Sequence, residues 1–427
     1  MINIVKADGK AERELLTSLR SRSGEVDKRV TQTVSQIIDD VRTQGDKAVR
    51  DYTTKFDGHC PEVFEVDREQ INDALTDADP EFVTALLNAM ENISAFHNRQ
   101  KQQSFIDTQP SGVIMGQRIR GLSRVGLYVP GGTAAYPSSV LMNCVPAKIA
   151  GVGEIIMVTP PLKDGTANPD ILVAAAIAGV DRVFLMGGAQ AVAAFAFGTE
   201  TVPKVDKIVG PGNIYVATAK KLLYGVVDID MIAGPSEILV IADETANPTY
   251  LAADMMSQAE HDVLASSILL TTSEQVAKDT LAEIERQLQT LSRAQIIRRS
   301  LEDYGMILVC RDNEEMIALA NELAPEHLEV MTANPMEYIG KIDNVGSLFL
   351  GQYSPEPLGD YYAGPNHVLP TSGTARFFSP LGVDSFIKKS SFIYYTQDAL
   401  REAHDDIVLI AEKEQLTAHA NSIKVRF

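Results

Sequence analysis

The chain has 427 residues, room for two to four domains at roughly 100–200 residues each, every one large enough to bury its own core. Hydrophobic residues make up 45% and charged residues 22%, a globular composition that excludes a disordered or fibrous chain. Acidic residues outnumber basic ones by 57 to 38, a formal net charge of −19; such a surface repels phosphate backbones and anionic lipid, so neither nucleic acid nor a membrane is an expected partner.

The stretch Met1 to Leu19 carries Lys6, Asp8, Lys10, Glu12, Arg13 and Glu14 without a continuous apolar core, so no signal peptide is expected. Residues 11–103 read as helices. Val30, Val34, Ile37, Ile38 and Val41 recur at helical spacing before Gly45, and Phe82, Leu86, Met90, Ile93 and Phe96 do so after Pro80. From Val113 short apolar runs alternate with helical segments: 125–129, 155–158, 183–186, 207–209 and 226–229. A second series covers 238–241, 268–270, 306–309, 327–331 and 347–350. This is the rhythm of β-α-β units, and it predicts an α/β fold with two mostly parallel sheets. The most apolar run, Ile171 to Val180, ends at Asp181 and is too short to cross a bilayer. Residues 351–380, rich in Gly, Pro, Ser and Tyr, have neither periodicity and read as a functional loop. A strand at 386–396 and helices at 398–410 and 415–423 follow, a tail too small to fold alone.

Cys60, Cys144 and Cys310 are far apart and odd in number, which gives no disulfide framework and points to a reducing, cytoplasmic setting. Cys144, between Leu141 and Val145 on an apolar helix, reads as a buried small hydrophobe rather than a nucleophile. Among the histidines, His59, His97 and His404 stand among polar residues and read as solvated. His261, His327, His367 and His419 each stand in a distinctive string. Glu326 beside His327, where a helix gives way to a strand, is a carboxylate–imidazole pair suited to proton transfer, or else an exposed loop pair. Gln258 and His261, three apart on a helix, share one face; His261, His419 and Asp360 would give the N and O donors that suit zinc. Three glycine turns, 128–132, 187–190 and 210–213, fall where strands end. There helix N-termini point N–H groups at anions, and the three together suggest a nucleotide crevice.

Tyr-Val-Pro-Gly-Gly (128–132), Gly-Gly-Ala-Gln-Ala (187–191), Gly-Pro-Gly-Asn (210–213), Ala-Gly-Pro-Ser-Glu (233–237), Gln-Ala-Glu-His (258–261), Ala-Pro-Glu-His-Leu (324–328), Gly-Asp-Tyr (359–361) and Gly-Pro-Asn-His-Val-Leu-Pro-Thr (364–371) resemble, in order and spacing, the histidinol dehydrogenase family. The likeness runs on to Ala-His-Ala (418–420). It implies a zinc- and NAD-dependent enzyme that oxidises L-histidinol to L-histidine through a bound aldehyde. By the same resemblance Gln258, His261, Asp360 and His419 would hold one zinc per subunit, and Glu326 and His327 would be the acid–base pair. Ser236, His367 and Glu414, with His327 and the zinc ligands, would contact substrate. Tyr128, Gln190 and Asn213 would contact NAD.

The architecture it implies is a helical N-terminal arm (1–26) and a larger α/β domain (27–127 with 236–373). These would be joined by a Rossmann-like NAD-binding domain (128–235) and a C-terminal tail (374–427) swapped across an intertwined homodimer. The competing readings are a paralogue acting on another small polar alcohol, a zinc hydrolase in which Glu326 activates water, and a non-catalytic binding protein.

Overall fold

The fold is described from a computed structural model over residues 2–22, 28–131 and 135–427; the end of the expected arm (23–26) and Gly132 of the first glycine turn lie outside these residues. In chain order the strands are β1 (Asn3–Lys6), β2 (Phe105–Thr108), β3 (Ile114–Gly121), β4 (Arg124–Tyr128), β5 (Glu154–Thr159), β6 (Arg182–Leu185) and β7 (Lys207–Val209). Then come β8 (Asp228–Ile229), β9 (Glu237–Ala242), β10 (Ser266–Thr271), β11 (Gly305–Val309), β12 (His327–Met331), β13 (Ser347–Leu350) and β14 (Ile387–Tyr394). They form two parallel sheets, ordered β6-β5-β4-β7-β8 and β1-β11-β10-β9-β12-β13, and a small antiparallel sheet β14-β3-β2. The two α/β series read from the sequence are thus both present.

The central strands are apolar on both faces because helices cover both faces of a parallel sheet. Every residue of β9 and of β10 is buried, as are Ile155 to Thr159 of β5. The run Ile171 to Val180, too short for a membrane, is one of these covering helices, Pro169–Ala178. Asn168 caps its start by accepting from the N–H groups of Asp170 and Ile171, and Gly179, at φ 75°, closes its end. No helix among the described residues is long and apolar enough to cross a membrane.

The structure divides the chain differently from the expected domains. The boundary at 127/128 falls inside β4. The helices from Lys28 to Asn98 pack on the five-stranded sheet: Val34, Ile37 and Val41 lie in one core with Ile156 and Val192, and Leu86, Ala89 and Ile93 in another with Val125 and Leu141. Their apolar stripes need cover, and the helices flanking β4 to β7 supply it. Nor is the N-terminal arm purely helical. It opens with β1, which pairs in parallel with β11 and extends the six-stranded sheet before the helix Ala11–Arg22. The tail's first residues belong to the body: Leu381, Val383 and Phe386 are buried, Leu381 and Phe386 in the core of the five-stranded sheet. Only β14 and the helices Gln397–Lys413 and Thr417–Lys424 stand away from it, β14 pairing antiparallel with β3 along eight residues.

Two features position the site. The chain leaves β4 for β5 and β6 on one side and returns to β7 on the other, so a topological switch point opens at the carboxyl ends of β4 and β7. The segment 364–371, expected as a loop, straps the two bodies together. The Asn366 side-chain amide donates to the Met142 carbonyl at 2.6 Å, and the Gly234 N–H donates to Thr371 Oγ1 at 2.7 Å.

Candidate active site

The helix Asn313–Leu323 ends with Ala324 in the left-handed region at φ 50°; Pro325 cannot continue it, and the chain turns into β12 with Glu326 and His327 at its amino end. Nδ1 of His327 lies 3.0 Å from the carbonyl oxygen of Glu237, at the start of the neighbouring β9. A carbonyl only accepts, so Nδ1 carries the proton and Nε2 keeps a free lone pair. That Nε2 is buried without a hydrogen-bond partner, 3.9 Å from Oδ1 of Asp360. The N–H of the same Glu237 donates to Oε2 of Glu326 at 2.9 Å. One backbone residue therefore orients both members of the pair, which are buried rather than an exposed loop pair. Burial lowers the His327 imidazole to about 3, keeping it neutral, and pushes the Glu326 carboxyl well above the usual carboxylate range. A neutral imidazole with an unspent lone pair, beside a carboxyl group, is equipped to accept a proton from a bound hydroxyl.

Three side chains converge beside this pair. Ligand atoms of His261, Glu356 and Asp360 all lie within 4.8 Å of one another. His261 follows the end of the helix Pro248–Ala259, its N–H donating to the Gln258 carbonyl at 3.3 Å. Gln258, in the last turn, is 1% exposed, and its Oε1 has no partner. A buried amide oxygen without a donor is costly unless something absent from the chain satisfies it. An imidazole nitrogen, carboxylate oxygens and an amide oxygen form a donor set that fits a zinc ion. Burial raises Glu356 to about 8 and Asp360 to about 6; a cation among them would hold both ionised. His367 closes the group, its Nδ1 2.9 Å from the Asp360 carbonyl oxygen and its Nε2 3.3 Å from Ser139 Oγ. Alongside, a cavity of about 440 Å³ opens between Tyr136, Pro137 and Ser138 on one body and Glu260, His261 and Tyr361 on the other.

The other expected site residues fall in two places. Ser236, half-buried just before β9, accepts the Ser266 N–H at its carbonyl. Glu414 and His419 do not join the cluster in the single chain. Both are exposed around the turn between the two tail helices, where Glu414 terminates Gln397–Lys413 and His419 lies in Thr417–Lys424.

At the switch point the hydroxyl of Tyr128, the last residue of β4, accepts the Gly188 N–H at 2.9 Å. Gln190, in the first turn of the helix Gly188–Phe197, is fully buried, and both its amide atoms lack partners. Gly210, at φ 109°, lies so close that a Cβ there would strike the Tyr128 carbonyl. Asn213 is exposed, and its Oδ1 accepts from the N–H groups of Tyr215 and Val216 as the cap of the helix Ile214–Leu223, leaving its amide NH₂ free of that duty. A close-approach glycine turn, two helix N-termini and an unsatisfied buried carboxamide fit a dinucleotide.

The family model described as "Histidinol dehydrogenase" matches residues 20–427. The chain belongs to the histidinol dehydrogenase family. It is 58% identical to the histidinol dehydrogenase of Clostridium acetobutylicum, over 100% of this chain and 99% of that one, and 55% identical to that of Listeria monocytogenes, over 100% and 97%. The crystal structure of histidinol dehydrogenase from Elizabethkingia anophelis superposes with a TM-score of 0.93 at 39% identity, covering 100% of this chain and 97% of the other. The chain is accordingly an oxidoreductase with the α/β architecture of that family.

In this histidinol dehydrogenase family member, three contributors to the site escape a reading of the sequence. Glu237 acts through its backbone, which any residue has. Glu356 hides in a segment that looks irregular yet contains the short helix Glu356–Tyr361; its spacing of four from Asp360 was the available signal. Ser139 is an unremarkable serine in the helix Pro137–Ala150. Two assignments of single residues also resolve. His97, expected in solvent, is fully buried, with Nδ1 2.8 Å from Gln100 Oε1. Cys144 is buried as expected, and burial pushes its thiol up to about 12.

Proposed function

We propose that this enzyme oxidises L-histidinol to L-histidine, the closing steps of histidine biosynthesis, in two NAD-linked oxidations through bound L-histidinaldehyde. Family membership supports the substrate, and the buried, unpartnered Nε2 of His327 beside Asp360 is the observation that carries the chemistry. One zinc ion per subunit would be held by Gln258, His261, Asp360 and His419, and NAD by Tyr128, Gln190 and Asn213. Ser236, His367 and Glu414 would line the substrate together with His327 and the zinc ligands. When bound, zinc supplies a template for the nitrogen donors of the amino alcohol and NAD supplies the electron acceptor.

The chain's own groups then do the proton work. Nε2 of His327 accepts the hydroxyl proton as the carbinol carbon is oxidised to the aldehyde. Glu326, in its ionised form, removes a proton from the water that adds to the aldehyde carbon. His327 accepts the hydroxyl proton of that hydrate as it is oxidised to the acid. His327 must pass its first proton to solvent between the two steps. Binding the substrate between the two bodies also fixes its reacting carbon against one base for both oxidations.

The enzyme works as a homodimer in which the tail of one subunit reaches the site of the other. Support comes from the exposure of Glu414 and His419 together with that of Leu409, Ile410 and Leu416 around them. Three unpaired cysteines support a cytoplasmic setting.

The test is stoichiometry: absorbance at 340 nm with limiting histidinol and excess NAD. Two NADH per histidinol are expected. One would remove the second oxidation; none would remove histidinol as the substrate.

A further inference from the structure

Glu356 lies outside the zinc ligand set proposed above, yet its carboxylate meets the atoms of that set. It opens the short helix Glu356–Tyr361, one turn before Asp360, so both carboxylates face the same way. Its ligand atom, that of Asp360 and that of His261 lie within 4.8 Å of one another, although Glu356 is only 2% exposed. The group is also oriented. Ser257, the neighbour of Gln258, donates its hydroxyl to Oε2 of Glu356 at 3.2 Å, and the Glu356 N–H donates to Oε1 of Glu329 at 2.7 Å. Among the described residues neither Glu356 nor Asp360 is paired with a lysine or arginine. Two buried carboxylates side by side repel one another unless a cation or a shared proton separates them. Independently, Nε2 of His327 is buried without a partner 3.9 Å from Oδ1 of Asp360, and Oε1 of Gln258, on the helix that ends just before His261, is also buried without a partner.

We propose that Glu356 supplies a carboxylate oxygen to the metal and that Gln258, His261, Glu356 and Asp360 hold one divalent cation within a single subunit, before His419 arrives from the tail. The inference rests on the zinc reading and extends it. Four donors are the usual complement of a protein-bound zinc ion, and two carboxylates match its charge. The exposed tail is then not needed to capture the metal. Its histidine joins a site that is already loaded, so zinc uptake and subunit exchange are separate events.

The test compares metal-free full-length His419→Ala, His419→Ala with Glu356→Gln, His419→Ala with Ser257→Ala, and His261→Asn. Zinc per subunit is measured by elemental mass spectrometry after dialysis, and affinity by competition with a chromophoric chelator. His419→Ala is expected to keep one zinc per subunit. Adding Glu356→Gln, which preserves shape and the Ser257 contact, is expected to weaken zinc roughly 10–100-fold. Ser257→Ala, which leaves both carboxylates in place and removes only the hydroxyl that orients Glu356, should weaken it in the same direction by less and serves if the Glu356 variant does not fold. Loss of all zinc from His419→Ala, or unchanged affinity on adding either second substitution, would overturn the proposal. Wild-type affinity in His261→Asn would instead overturn the zinc site on which it rests.

Discussion

Ser139 Oγ lies 3.3 Å from Nε2 of His367. The serine belongs to a helix of the five-stranded body, whereas the histidine is held by the Asp360 carbonyl, 2.9 Å from its Nδ1. Nδ1 donates to that carbonyl, so Nε2 accepts from the serine hydroxyl. The contact ties the two bodies together at the proposed substrate site. Ser139→Ala is expected to raise KM for histidinol about fivefold with little change in kcat, the loss of a hydrogen bond worth about 1 kcal/mol. Steady-state kinetics decide it; an unchanged KM would mean that His367 is held without the serine.

The shared anchoring of Glu326 and His327 on Glu237 predicts a division of labour. His327→Ala should slow both oxidations, by roughly 10²–10⁴-fold for a lost general base. Glu326→Gln can still accept the Glu237 N–H, so it leaves the imidazole in place and should slow the aldehyde-to-acid half more. Each half is measured separately, with histidinol under single turnover and with supplied histidinaldehyde. Equal losses in both halves would refute the division.

A buried ion pair secures the switch point. Lys220 pairs with Asp230, and their side chains are 3% and 1% exposed. Lys220 Nζ also donates to the Gly210 carbonyl at 3.0 Å, and Oδ2 of Asp230 accepts the Gly210 N–H at 2.8 Å. Lys220→Met would leave a buried carboxylate unpaired, a loss of roughly 3–5 kcal/mol, and would free the 210–213 turn. Thermal unfolding should show the loss, and NAD affinity by titration calorimetry should fall in whatever fraction stays folded. A melting temperature equal to that of the parent would contradict both roles.

The proposed tail swap makes a prediction of its own. His419→Ala and His327→Ala, each inactive alone, are refolded together. With His419 acting across the dimer, each mixed dimer has one intact site, and random pairing returns about a quarter of wild-type activity. Mixed dimers verified by native mass spectrometry but no more active than the parents would eliminate the swap and leave the zinc chemistry standing.

The parallel strands were readable because both faces are buried: β9 and β10 leave an unbroken apolar run in the sequence. β2 left no trace because all four of its residues are exposed, and β1, mostly exposed at a sheet edge, reads as a polar arm. Glu326 and His327 were legible because they are adjacent. Domain membership was not, since which sheet the helix carrying Val34, Ile37 and Val41 covers is decided by packing against residues more than 100 positions away, such as Ile156 and Val192. His97 shows the limit of a polar neighbourhood as a guide, because one face of the helix Pro80–Asn98 takes it inside.

The edge strand β1 sets an order of events during synthesis. Asn3 pairs with Met306, so this strand must wait for a partner made some 300 residues later. At about 5–20 residues per second that delay is roughly 15–60 s. The five-stranded sheet, with β4 to β8 lying between Arg124 and Ile229, can close in the meantime. The nascent chain therefore matures from the five-stranded sheet outward, and β1 is among the last of these strands to find its place.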